Sequence, residues 1–136
     1  MLFIVLDAVW HGGIMADFYG RRLLMLNPAS GGMVPSFAPF IFLLEAINAV
    51  TLTYFVLHCA PSGKMTQDAL WIGALLGFTV TGSVNFLNHT LMPWWDIQMA
   101  LVDTAAGTLI GMITATVVAA VTQEHKRGFF GFLRRG

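Results

Sequence analysis

Long apolar runs separated by short polar breaks set the pattern of this chain. Residues 37–60 form one run, with Glu45 as its one acidic residue. Residues 69–91 form a second with no charge, and residues 98–122 a third, charged only at Asp103. Each exceeds 20 residues, and at about 1.5 Å per residue a helix of that length crosses roughly 30 Å of hydrocarbon. Residues 1–19, MLFIVLDAVWHGGIMADFY, are just long enough for a fourth span. Asp7 interrupts this run and no basic residue precedes it, so a retained spanning helix is expected rather than a signal peptide. Turn formers fill the breaks: Asn27-Pro28, Gly31-Gly32 and Pro35, then Pro61-Ser62-Gly63, then Pro93-Trp94. The pattern predicts an all-α integral membrane bundle of four transmembrane helices, at about 1–19, 37–60, 69–91 and 98–122. They make a single transmembrane domain over residues 1–136, closed by an interfacial tail at 125–136 where aromatic residues sit beside arginines.

Composition agrees with the pattern and removes other classes. Of 136 residues 57% are hydrophobic and 10% charged, against about 25% charged in soluble domains. A chain so poor in charge is neither an ordinary soluble domain nor a disordered one. Zero net charge argues against a nucleic-acid partner. The lone Cys59 excludes an intrachain disulfide and a multi-cysteine zinc site. With four spans, Lys64, Lys126, Arg127, Arg134 and Arg135 share one side with both termini, and Arg21 and Arg22 occupy the other. The positive-inside bias then places both termini in the cytoplasm.

Polar groups inside the expected spans hold the candidate chemistry: Asp7, His11, Glu45, Asn48, Asn85, Asn88 and Asp103. Such groups are costly in hydrocarbon and face a bundle interior or a water cavity. Gly73, Gly77, Thr81, Asn85 and His89 recur every fourth residue, as do Asp103, Gly107, Gly111, Ala115 and Ala119. Each set therefore lines one helical face. The Gly73/Gly77 and Gly107/Gly111 pairs predict close helix packing. Depth along straight helices pairs Glu45 with His11 and Asp103 with Asn85, and leaves Asp7 shallower, about 10 Å from the inner surface. Interhelical hydrogen bonding is the first expectation for these groups. No catalytic set or metal site is expected, because there is no Gly-rich phosphate loop, nucleophile elbow or His-Glu-x-x-His. No cofactor is expected either; the one residual option is a single-His haem or pigment site at His11.

Three elements stand out: Leu6-Asp7-Ala8-Val9-Trp10 followed by Phe18-Tyr19 and Arg21-Arg22; Val84-Asn85-Phe86-Leu87-Asn88 followed by Thr90-Leu91 and Trp94; and Val102-Asp103-Thr104-Ala105-Ala106-Gly107-Thr108. Together they resemble a bacterial membrane family catalogued as domain of unknown function 2177. The order and spacing of all three are kept. The resemblance implies four transmembrane helices in a bacterial inner membrane and no particular activity. Asn85 stands where the family carries Asp, Ala106 where it carries Trp, and Glu45 where an uncharged or aromatic residue is expected. A mechanism needing a carboxylate at position 85 would be lost unless Glu45 replaced it.

The first functional expectation is a non-enzymatic accessory, assembly or structural subunit of a larger membrane complex or homo-oligomer, embedded in the lipid bilayer. The alternative is a small proton-coupled transporter or channel using Glu45 and Asp103. A lipid-acting membrane enzyme with Asp7, His11 and Asp103 as acid/base groups ranks last, since straight helices would hold these groups about 10 Å apart in depth.

Overall fold

The structure, a computed structural model, describes residues 1–26, 38–60, 64–92 and 95–133. The turn formers expected at Asn27-Pro28, Gly31-Gly32, Pro35, Pro61-Ser62-Gly63 and Pro93-Trp94, and the basic pair Arg134 and Arg135, lie outside the described residues. Among those described, the elements run α1 (Leu2–Val9), a π-helical turn (Trp10–Ile14), α2 (Ala16–Leu26), α3 (Ala38–Cys59), α4 (Met65–Leu91) and α5 (Ile97–Leu133). The protein is an all-α membrane bundle. Three helices, α3, α4 and α5, are long and apolar enough to cross a membrane, and the bent α1–α2 pair makes up to four.

The α4–α5 hairpin is the spine. Gly73, Gly77, Gly107 and Gly111 are buried where the two helices cross. A Cβ added at Gly73 would overlap the Gly111 carbonyl, and one at Gly111 would overlap the Gly73 carbonyl. One at Gly77 would lie 2.5 Å from the Gly107 carbonyl oxygen. The backbones are thus in direct contact, a packing that only hydrogen side chains permit and that supplies dispersion contact where lipid gives no hydrophobic drive. Phe3, Leu52, Val56, Met65, Ala69, Ile110, Ala115 and Ala119 form the apolar core at the end of the bundle where α4 begins. The polar groups gather at the opposite, hairpin end.

Two helix boundaries depart from the sequence reading. The expected straight helix over 1–19 is broken: Leu2–Ile14 and Ala16–Arg22 meet at 70°. The cause is local. The Met15 amide donates back to the Trp10 carbonyl at 2.8 Å, a five-residue step, and Met15 itself is non-helical at φ −111°, ψ 13°. Gly12 and Gly13, weak helix formers, occupy that wide turn. Asp17 then favours the restart of α2 through its place in the first turn. At the other end, the expected helix over 98–122 with a separate tail at 125–136 is one continuous α5 to Leu133. No proline interrupts residues 123–133, so the charged residues that mark the interface do not stop the helix.

Candidate functional site

Asp103 sits on the buried face of α5, about two turns from its start, and its carboxylate is the hub of a polar cluster. Oδ1 accepts a hydrogen bond from the Tyr19 hydroxyl at 2.6 Å and contacts His11 Nε2 at 2.9 Å. Oδ2 accepts from Asn85 Nδ2 at 2.7 Å. The donors come from the π-helical turn, α2 and α4, so one side chain on α5 fastens three other segments. Charge-assisted bonds of this length are about twice as strong as neutral ones.

Each donor is itself held. Asn85 is 1% exposed; its Nδ2 also reaches the Thr81 carbonyl at 2.8 Å, and its Oδ1 accepts from Trp95 Nε1 at 3.1 Å. These contacts fix which way the amide points. Tyr19, buried on α2, accepts at 3.4 Å from Trp10 Nε1. His11 Nδ1 lies 3.1 Å from the Asp7 carbonyl and 3.2 Å from Asp7 Oδ1. Both ring nitrogens of His11 face oxygens, those of Asp7 on one side and of Asp103 on the other.

Glu45 lies on α3 with its Oε2 buried and without a hydrogen-bond partner. It therefore does not bond to His11, as straight-helix depth suggested. His11 turns instead to Asp103 and Asp7. The same bend removes the depth argument that ranked an enzyme last, since Asp7, His11 and Asp103 are linked in one chain of contacts. Asn48 lines a small cavity with Phe3, Thr51 and Gly77; neither it nor Asn88 bonds to Asp103.

A second tether lies at the membrane edge. Asp96 precedes α5 and caps it, its Oδ1 accepting from the Met99 amide at 2.7 Å. Its Oδ2 accepts from Arg22 Nε at 2.9 Å, and Arg22 also reaches Gln98 at 3.3 Å and lies 3.9 Å over the Phe18 ring. The Met99 amide, with Arg22 beside it, holds the Asp96 carboxyl below the usual carboxylate range.

Tyr19, Trp10, Trp95 and the Arg22–Asp96 pair join the site although none of them is among the polar groups that the sequence places inside the spans. Tyr19 and Trp95 read as interface aromatics. Tyr19 is eight residues beyond His11, about 12 Å along a straight helix, and only the bend brings both onto one oxygen.

Neither a curated protein nor a solved structure matches the chain. The family model described as "Predicted membrane protein (DUF2177)" does match, over residues 1–120, a stretch that takes in every member of the cluster, and the chain belongs to that family.

Proposed function

We propose that the chain is a non-enzymatic accessory, assembly or structural subunit of a bacterial inner-membrane complex. The observation that carries this reading is the saturation of Asp103, whose two oxygens are taken by donors from three other segments. A carboxylate so occupied serves to join helices. Both nitrogens of His11 are likewise engaged with oxygens, so the reading calls for no haem or pigment. The broad apolar faces of α3, with Phe42, Leu43, Ile47, Val50 and Tyr54 exposed, suit lipid or neighbouring helices.

Both termini are placed in the cytoplasm, because five basic residues lie on that side and two on the other. Arg22, one of those two, is paired with Asp96, which further weakens the outer charge. Reporter fusions after Gly136 and near Lys64 are expected to show cytoplasmic activity, and a fusion near Asn27 to behave as external. The reverse pattern would refute the orientation.

One observation favours a second reading, a proton-coupled transporter or channel. The buried, unpartnered Oε2 of Glu45 is a group free to exchange a proton beside the Asp103 cluster. Gentle detergent extraction and proteoliposome flux separate the two. The subunit reading expects a larger chain co-purifying in fixed stoichiometry, and liposomes that leak protons no faster than empty ones. A lone monomer or homodimer whose proton flux is abolished by Glu45→Gln or Asp103→Asn would overturn it in favour of transport.

A further inference from the structure

Among the described side chains of α2, Tyr19 is buried while Asp17, Arg21, Leu24 and Met25 are exposed. Two polar contacts tie this helix to the α4–α5 hairpin: Tyr19 on Asp103, and Arg22 on Asp96 and Gln98. Behind it lies a ready hinge. The π-helical turn ends at the 70° bend, and around Gly12 and Gly13 there is open space, with nothing within 4 Å of an added Cβ. π-Helical turns are frequent where a helix changes course for function.

Length gives the bend a second, straight alternative. Leu2–Ile14 alone rises only about 20 Å, short of the roughly 30 Å of hydrocarbon. Straightened through Leu26, the same segment would rise about 37 Å and match a full span. In the bent form α2 instead lies over the hairpin end, with Tyr19 against Asp103.

We propose that α2 is a hinged strap, latched by Tyr19 and Arg22 across the mouth of the bundle, and that it swings about the Trp10–Ile14 turn to uncover Asp103 and His11. His11 lies in the turn on the near side of the bend after Ile14 and stays on Asp103, whereas Tyr19 lies beyond the bend and leaves it. Opening therefore frees one contact of Oδ1 without dismantling the cluster. The strap is independent of whether the chain serves as a subunit or a transporter, since it rests on the bend and the two latches alone.

Spin labels at Leu24→Cys and Leu91→Cys, in full-length protein with Cys59→Ser, read the strap directly by pulsed dipolar spectroscopy in lipid nanodiscs. Both label sites are exposed, as is Cys59. The otherwise unmodified chain should give one narrow distance. Tyr19→Phe combined with Arg22→Gln should add a second population of about a tenth or more of the pairs. Its position should be displaced by up to about 15 Å, the swing of nine helical residues through the bend. Adding Gly12→Ala and Gly13→Ala, which meet no neighbour and favour the straight helix over the bend, should enlarge that second population at least about threefold. A single narrow distance in the latch variant would overturn the strap, as would a broad distribution before any latch is removed. So would loss of helicity in Tyr19→Phe, which would make Tyr19 a structural bond, or no effect of the alanines.

Discussion

Replacing Gly111 with leucine will force α4 and α5 apart and remove much of the bundle's thermal stability. The first added atom already overlaps the Gly73 carbonyl, and the next contacts are the Gly73 carbonyl carbon at 3.3 Å and the Gly77 Cα at 3.3 Å. All three are backbone, so no flexible side chain can move aside. Overpacking in an adaptable core costs about 1–3 kcal/mol. Here the whole helix must shift, and the expected cost lies at about 3 kcal/mol or above. Gly111→Ala should fall between leucine and the original, since Cβ alone produces the overlap. Gly12→Ala is the matched control, with open space around it. Thermal unfolding in detergent, followed by helicity, checks the order. If Gly111→Leu melts with Gly12→Ala, the crossing is looser than described and the hairpin is not the spine.

The second large effect is expected at Asp103. Asp103→Leu removes three contacts at once: those to His11 Nε2, Tyr19 Oη and Asn85 Nδ2. Asn85 keeps the Thr81 carbonyl, which softens its loss. An unsatisfied buried donor costs about 1–3 kcal/mol, so the sum is about 3–6 kcal/mol. Asp103→Asn keeps the shape and is still not neutral. Tyr19 Oη and Asn85 Nδ2 donate one to each oxygen of the carboxylate, and an amide presents an NH2 where one oxygen was. Asn85 cannot turn to meet it without abandoning Trp95 Nε1. The amide variant should therefore lose about 1–2 kcal/mol, one mismatched contact. Thermal melts of both variants, compared with Glu45→Gln as a change outside the hydrogen-bonded hub, rank the three. An Asp103→Leu protein as stable as the original would mean that the cluster does not join the helices.

Much of the bundle is readable from local pattern. Length and hydropathy decide that residues 37–60, 69–91 and 98–122 are helices in a membrane, because an apolar run of that length has no other way to satisfy its backbone. The four-residue spacing of Gly73, Gly77, Thr81 and Asn85 against Asp103, Gly107 and Gly111 decides which faces of α4 and α5 meet. Period is a property of the helix itself, so it survives into the folded chain and carries Asn85 to Asp103.

What spacing does not reach is any contact that depends on a change of direction. Residues 1–19 read as one more apolar run, and a straight helix there keeps His11 and Tyr19 about 12 Å apart. The wide turn over Trp10–Ile14 is local, but the partners that the bend after it brings together on α5 are recorded by no local period. For the same reason Arg22 reads as a loose outer charge and Trp95 as an interface anchor, while the folded chain uses them on Asp96 and Asn85. The sequence by itself determined the membrane, the helices and the α4–α5 seam, because each follows from hydrophobicity and helical period. Only the tertiary structure decided the membership of the Asp103 cluster, because a bend redistributes depth among side chains that a straight helix would hold apart.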